Sequence, residues 1–555
     1  MGGGCSMIEA VKLGAAVSHL NAGAPWSGCS AKTLIELLCT GCDRNGDRPL
    51  LMFEDGVTIG RSEFMELTSS FAAYLRPLIK PGDRVAIAIG NRTEYLVALF
   101  AAMANRGILV SINPTAREHD AGYILRDSGP TVLITESGNG DLLARLAKSL
   151  PNPCLVVTLD GQEPRGLPAP ARGSAPFDLR AAQCKRDDMI AIFYTSGTTG
   201  VPKGCLFNHE RWLRSIDTDI RMVPGGRDRA FSTGPFFYAD PALFLLMMLH
   251  SGGSLVVARR FSVSKYWDIV NRFEVTRVHA IASMPVLLAK SPPHPLERAH
   301  RVDHAICAAV PADLHATLVG RFGFPWLDNY GSTEAGTICR MPWHMHDEMI
   351  GSGAIGIPAP EVDLRIVDDG GRDLPPGQVG EALIRGPGLF SGYFRLPDAT
   401  QEALRDGWFH SGDLVMRDER SFVYFKGRKK DVVRRSGENI SAVEVETVLR
   451  QMPEIKDAAV VPVPDEIRGE EVKAYILLVD DINPSELPPE QIAAFCSSHL
   501  APFKVPRFIE YRKNFPRTPS ERVDKRQLKE EKPDLRADCW DRELPKSIVE
   551  GSSKL

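Results

Sequence analysis

Tyr194-Thr-Ser-Gly-Thr-Thr-Gly-Val-Pro-Lys-Gly204 places three glycines, four Ser/Thr hydroxyls and one lysine in eleven residues. Glycines let the backbone turn tightly and present N–H groups, and Thr195, Ser196, Thr198 and Thr199 add hydroxyl donors. Lys203 adds a mobile positive charge, completing the set of groups that holds a polyphosphate. Lys203 is followed by Gly204, not Ser or Thr, so this is not a Walker loop. By composition alone, such a loop reads equally as a solvated turn. Three later stretches bear on the choice. In Asn329-Tyr-Gly-Ser-Thr-Glu334 an aromatic ring can stack on a base, a hydroxyl can touch phosphate and a carboxylate can hold Mg²⁺. Gly407-Trp-Phe-His-Ser-Gly-Asp413 ends in an acid flanked by glycines, the kind of group that accepts ribose hydroxyls. Gly427-Arg-Lys-Lys-Asp-Val-Val-Arg-Arg-Ser-Gly-Glu-Asn-Ile440 reads by itself as a basic, solvated loop.

These stretches need a scaffold, and the chain alternates strand and helix patterns. Met189-Ile-Ala-Ile-Phe193 is an apolar run that reads as a buried strand leading into the glycine-rich loop. Upstream, residues 83–89 read as a strand, 92–105 as a helix and 107–112 as a strand, a βαβ unit of a parallel sheet. A second unit follows, with a helix over 121–128 and a strand over 131–135. Residues 255–258 and 278–282 read as further buried strands, and the Pro/Gly/Ala-rich segment 164–176 as a surface loop. From Leu364 short alternating strands with turns at Asp369-Gly-Gly371 and Pro375-Pro-Gly377 suggest a small β subdomain. Beyond Gly427 the chain becomes basic and mixed α+β. The fold class expected is α/β: a large N-terminal domain of parallel-sheet βαβ layers with a small β subdomain, residues 1–425, and a smaller mobile α+β domain, residues 426–555.

The glycine-rich run resembles, over eleven consecutive positions, the phosphate loop of the adenylate-forming superfamily of acyl-CoA synthetases, luciferases and adenylation domains. The resemblance spans roughly residues 30–530 and is similar in detail to the acyl-CoA ligase branch, leaning toward carnitine/crotonobetaine-CoA ligases. It implies that Thr195, Ser196, Gly197, Thr198, Thr199, Gly200 and Lys203 hold phosphate. Tyr330, Thr333 and Glu334 inherit adenine, phosphate and magnesium roles, with Asn329 and Gly331 in the same nucleotide motif. It assigns Asp413 and Arg428 to ribose, Lys430 to a hinge pivot, and Gly437 to the wall of a pantetheine tunnel. The implied reaction is ATP-dependent activation of a carboxylic acid as acyl-adenylate, with Mg²⁺, followed by transfer to coenzyme A. A luciferase-like adenylating oxidase, or an ATP-binding homologue with weak adenylation, are the alternatives.

The superfamily ends in a segment like T-P-S-G-K, whose lysine bridges substrate carboxylate and ATP. This chain has Thr518-Pro-Ser-Glu-Arg-Val-Asp-Lys525, so Arg522 stands at the lysine position and Lys525 lies three residues on. Arginine keeps the charge but is larger and planar. Lys203, Glu334 and Arg522 are the candidate catalytic residues. Phe237, Tyr238, Met284, Ala308 and Trp326 are candidates for the acyl pocket by position, each apolar enough to be core instead.

A chain of 555 residues with net charge −4 and 25% charged residues describes a multidomain globular protein with no electrostatic call for nucleic acid. Cys39 and Cys42 form a C-x-x-C without a second pair or a histidine cluster, and read as reduced thiols near a helix end, not a zinc site. No apolar run is long enough to span a bilayer. Ser553-Lys-Leu555 matches the signal read by the peroxisomal import receptor, which places the protein in the peroxisome, otherwise the cytoplasm. Met1-Gly-Gly-Gly-Cys-Ser6 formally fits the myristoylation pattern but is read as an unlipidated glycine-rich start.

Overall fold

A computed structural model describes residues 29–543 apart from 139, 153, 160–162, 173–174, 196–201, 223–227, 282–283, 437 and 519–521. The N-terminal glycines and Ser553–Leu555 therefore lie outside the described residues. The chain divides into two compact units: residues 1–364 with 384–410, and residues 365–383 with 411–555. Residues 365–383 and 411–425 thus group with the C-terminal unit, where the sequence set a boundary at about 426.

In the first unit, strands Arg84–Ala88 and Ile108–Ser111 are parallel neighbours joined by helix Thr93–Ala104. This is the βαβ unit expected from the sequence. The helix sequence TEYLVALFAAMA is apolar almost all round, and every residue of it is buried. It packs against helix Arg61–Leu75 on one side and strands Ile108–Ser111 and Met189–Thr195 on the other. Its sheet runs in the order Leu155–Leu159, Val132–Glu136, Arg84–Ala88, Ile108–Ser111, Met189–Thr195, Lys203–Asn208. All pairings are parallel except the last, which is a hairpin.

A nine-stranded sheet carries the other motif. Strands Pro49–Phe53, Ser254–Val257, Arg229–Ser232, Arg277–Ile281, His304–Ala308 and Trp326–Ser332 form its parallel centre. Both faces of such strands are covered, which explains their near-continuous apolar runs. The core on one face gathers Trp267, Phe322, Phe324 and Trp326 around Val278 and Ala305.

The C-terminal unit has a sheet built on the long antiparallel pair Ile455–Asp465 and Gly469–Leu478, with Phe508–Arg512 parallel to the latter. Helices Ala442–Leu449 and Pro489–His499 cover it over a shared apolar core. Between Asp363 and Arg428 the strands turn at Asp369–Gly371 and Pro375–Gly377 as expected, with Gly371 at φ +76° and Gly377 at φ +85°. Among the described residues no helix is long and apolar enough to cross a membrane. Cys39 and Cys42 are buried, unbonded thiols in helix Leu34–Asn45.

Candidate functional site

The glycine-rich stretch is flanked by two paired strands. Strand Met189–Thr195 pairs antiparallel with Lys203–Asn208, and Thr195 stands opposite Lys203. The sequence expectation that the strand ends at Phe193 and that Lys203 lies in a loop is thereby corrected. The ladder extends because residue 204 is glycine: a Cβ there would come 2.7 Å from Ile192 and 3.1 Å from the Tyr194 ring. Tyr194 donates from its hydroxyl to Asp127 at 2.6 Å, anchoring the last turn of the strand before the loop. Ser196, Gly197, Thr198, Thr199 and Gly200 lie outside the described residues.

A second hairpin carries Asn329–Glu334. Strand Trp326–Ser332 pairs with Gly336–Arg340, leaving Thr333, Glu334 and Ala335 in the turn. Gly331 is required by this close pairing, since a Cβ would meet the Gly336 carbonyl oxygen at 2.4 Å. The turn is held from below by Arg211 on helix His209–Met222. Its guanidinium donates to the carbonyl oxygen of Glu334 at 2.9 Å and to that of Thr333, and lies 3.9 Å from the Phe207 ring centroid. Burial lowers the Arg211 pKa to about 10, opposed by nearby Cys205 and Glu334. Asn329 accepts at Oδ1 from Arg340 Nε at 3.0 Å. Arg340 and Arg277 both donate to buried Asp219, at 2.6 and 2.8 Å. Although burial works against it, these two guanidiniums hold Asp219 well below the usual carboxylate range. Asp328, one residue earlier, accepts from the N–H groups of Ala309 at 3.3 Å and Val310 at 3.0 Å. Burial pushes its pKa up to about 7 against those hydrogen bonds.

Segment Phe390–Phe394, which the sequence reading did not single out, joins the two hairpins. Phe390 N–H donates to the Glu334 carbonyl at 2.7 Å, and Phe394 N–H to the Gly204 carbonyl at 2.8 Å. Leu206 N–H donates to the Gly392 carbonyl at 3.0 Å, and Cys205 bridges to Tyr393. Between these contacts, the Tyr393 hydroxyl donates to Glu334 Oε1 at 3.0 Å and its ring centroid lies 5.0 Å from Lys203 Nζ. Burial first, then the Glu334 carboxylate, raises the Tyr393 pKa well above the usual phenol value, so the hydroxyl remains a donor. The structure therefore brings Lys203 and Glu334 to one aromatic residue. The only sequence signal for it is Gly392 before Tyr393: Gly392 has φ +116°, and a Cβ there would meet Thr400 at 2.9 Å.

The pocket candidates separate. Phe237 and Tyr238 are partly exposed, with ring centroids 4.6 Å apart. Their segment is pinned by Asn91, which accepts from Phe236 N–H at 2.8 Å, and by Ser111, which donates to the Phe237 carbonyl at 2.8 Å. Ala308 is partly exposed at the end of its strand, opposite Ile281. Met284 and Trp326 are instead packed in the large apolar core, and Trp326 is fully buried. Trp326 stacks on Phe324 at 5.6 Å because strand alternation turns it, like Ala305 and Val278, to the closed face of the sheet. These two are corrected from pocket to core.

In the C-terminal unit Asp413 and Arg428 face each other across antiparallel strands Trp408–Arg417 and Val423–Arg428, with Arg428 Nε 2.9 Å from buried Asp413. The two residues expected at ribose thus form a pair. Lys430 lies in the short helical turn Lys429–Asp431, and Gly437 lies outside the described residues. Arg522 is exposed, its N–H donating to Thr518 Oγ1 at 3.2 Å and its carbonyl accepting from Thr518 N–H at 2.8 Å. Lys525 has a different setting: Nζ is 2.7 Å from Glu446, which is buried and also accepts from Val460 N–H at 2.7 Å.

Among the described residues no three His, Cys, Asp or Glu cluster as a metal cage. A lone carboxylate such as Glu334 fits Mg²⁺, which keeps waters and takes one or two carboxylates beside substrate phosphates.

Known proteins are similar to this chain along most of its length. A family model described as AMP-binding enzyme matches residues 40–394, and one described as AMP-binding enzyme C-terminal domain matches residues 444–522. Crotonobetaine/carnitine–CoA ligase of Salmonella typhi is 30% identical over 516 residues, covering 87% of this chain and 96% of the relative. Feruloyl-CoA synthase of an Amycolatopsis species is 30% identical over 487 residues, covering 85% and 94%. The structure of o-succinylbenzoate CoA synthetase from Bacillus subtilis, solved with its acyl-adenylate intermediate, superposes with TM-score 0.78 at 26% identity, covering 89% of this chain and 97% of that one.

Proposed function

The chain belongs to the AMP-binding enzyme family, and from that premise we propose that it is an ATP-dependent acid–CoA ligase. The observation that carries the reading is the convergence of Lys203 and Glu334 on Tyr393, which puts a cation suited to phosphate and a carboxylate suited to a metal on one side chain. In the first half-reaction a carboxylate oxygen of the acid attacks the α-phosphorus of ATP, and the bond to pyrophosphate breaks. In the second the CoA sulfur attacks the acyl carbon and AMP departs with the bonding electrons. Acid and triphosphate are both anionic, so the first step needs fixed positive charge and N–H donors.

Lys203 and the glycine-rich stretch are proposed to hold the β- and γ-phosphates, and Tyr330, with Asn329, Gly331 and Thr333, the adenine and α-phosphate side. Glu334 would hold Mg²⁺, which when bound neutralises phosphate charge and orients the leaving group. In the C-terminal unit, Asp413 and Arg428 would accept and donate at the ribose, and Arg522 would bridge acid and α-phosphate. We propose that this unit rotates about Lys430 between half-reactions, with Gly437 admitting the pantetheine arm.

An apolar or aromatic acid is the proposed substrate, supported by the paired rings of Phe237 and Tyr238 at a pinned segment. The test is pyrophosphate release over a panel of aliphatic, aromatic and quaternary-ammonium acids, with and without CoA. Acid-dependent pyrophosphate release and CoA-dependent AMP formation are expected; pyrophosphate release with no acid requirement would overturn the reading. We further propose that Ser553-Lys-Leu555 is read by the peroxisomal import receptor. Its deletion from an N-terminally tagged chain is expected to move fluorescence from peroxisomes to cytosol without loss of activity in vitro.

A further inference from the structure

The hairpins that carry Lys203 and Glu334 belong to different sheets, and among the described residues no strand pairing joins them. Within the first unit the backbone contacts that tie these hairpins together run through segment Phe390–Phe394. Its N–H groups hold the Glu334 carbonyl at 2.7 Å and the Gly204 carbonyl at 2.8 Å, and its Gly392 carbonyl accepts from Leu206. Tyr393 sits at the centre, its backbone N–H donating to Thr400 Oγ1 at 2.9 Å, so the side chain departs from a fixed point.

The two ends of that side chain perform separable tasks. The ring presents its electron-rich face to the Lys203 ammonium at 5.0 Å, within the range of cation–π attraction. The hydroxyl donates to Glu334 Oε1 at 3.0 Å, fixing the carboxylate while leaving it acceptor sites for a metal. Tyr393 is largely buried, and a phenol in that position cannot swing away without opening a gap beside Phe390, whose ring centroid is 4.7 Å from its own.

We propose that Tyr393 is a positioning residue that fixes the phosphate-binding cation Lys203 and the metal-binding carboxylate Glu334 relative to each other, making the two a single unit for Mg·ATP. The proposal rests on the reading of Glu334 as the metal-binding carboxylate. A merely structural tyrosine would lose stability on substitution but would not discriminate between Mg·ATP and metal-free ATP.

The test is equilibrium binding of ATP to the full chain by titration calorimetry, with Mg²⁺ and with EDTA, for the parent, Tyr393→Phe, Tyr393→Leu and Glu334→Gln. Tyr393→Phe keeps the ring and removes the hydroxyl, so it is expected to weaken Mg·ATP binding about tenfold, as one charge-assisted hydrogen bond implies, and to leave metal-free ATP within twofold. Tyr393→Leu removes both contacts and is expected to weaken both forms. Tyr393→Phe binding Mg·ATP as tightly as the parent, while Glu334→Gln binds it poorly, overturns the positioning role and leaves the Glu334 reading standing. Glu334→Gln that keeps the parent's full gain from Mg²⁺ overturns both. Equal losses with and without Mg²⁺ in Tyr393→Phe also overturn the proposal, since they mark general disruption. Melting temperatures are taken for every variant, and Tyr393→Phe, which conserves nearly all the buried volume, keeps the test decisive if Tyr393→Leu does not fold.

Discussion

Replacing Arg522 and Lys525 in turn by alanine separates a catalytic cation from a structural one. Glu446 is 8% exposed at its side chain and Lys525 19%, with 2.7 Å between Nζ and Oε1. Removing one partner of a buried ion pair costs about 3–5 kcal/mol, because the other charge stays desolvated. The residual exposure of Lys525 argues for the low end, about 3 kcal/mol. For a unit of this size each kcal/mol lowers the melting temperature by about 2–4 °C, so Lys525→Ala is expected to melt about 6–12 °C lower. Arg522 is exposed, and its substitution by alanine is expected to change stability by no more than about 0.5 kcal/mol. Its effect falls on chemistry: loss of the cation between two anions should slow adenylation about 10²–10³-fold, the scale of losing one preorganised donor. Arg522→Lys should keep or increase the rate. Thioester formation from pre-made acyl-adenylate should be nearly unchanged in Arg522→Ala. Single-turnover kinetics of each half-reaction, with melting curves, read all of this. Parent-like adenylation by Arg522→Ala, together with slow adenylation by a Lys525→Ala protein that melts like the parent, would refute the assignment and exchange the two roles.

Glu334→Gln is expected to cut pyrophosphate release by about 10²–10³-fold while the protein melts near the parent temperature, because the charge opposite Mg²⁺ is lost; undiminished release would remove Glu334 from the reaction. Asp413→Asn is expected to raise the KM for ATP strongly and kcat little, and an unchanged KM would make the pair with Arg428 a strand clasp alone. Asp328, raised to about 7 in the folded chain from an ordinary carboxylate value near 4, favours folding below about pH 4 and loses that contribution as pH rises through about 7. Asp328→Asn should therefore show a flatter stability profile between about pH 4 and 7, the difference being at most about 4 kcal/mol. Melting curves across that range check the sign, and a parallel displacement of the two profiles would count against it.

Much of the fold was legible because its signals are local. A strand buried on both faces needs an apolar run, and a helix such as Thr93–Ala104, buried on every face, needs to be apolar all round. The second motif left a local trace too: strands that approach as closely as at Gly331 have to spend that position on glycine. Where the reading missed, the deciding information was in another part of the chain. Lys203 looked like a loop residue because glycine and proline surround it, yet Gly204 makes room for Tyr194 and the strand continues. Trp326 looked like a pocket residue because it precedes the nucleotide motif. Strand alternation, set by which face the neighbouring strands bury, turned it into the core.

The same distinction explains why Arg522 and Lys525 were ambiguous in sequence and Tyr393 was invisible. The two cations are three positions apart, and either register satisfies a basic position after Thr518-Pro-Ser. The choice between them depends on Glu446, 79 residues earlier, whose carboxylate is buried and must be neutralised by something. A lysine drawn into that task is held at Glu446, whereas Arg522 is exposed. Tyr393 is 59 residues from Glu334, and apart from Gly392 before it nothing local distinguishes it from a packing tyrosine. Its two partners are carried by hairpins of two separate sheets. Residues that couple motifs are therefore to be sought at the backbone bridges between hairpins. In this chain, that is the segment whose N–H groups hold Glu334 on one side and Gly204 on the other.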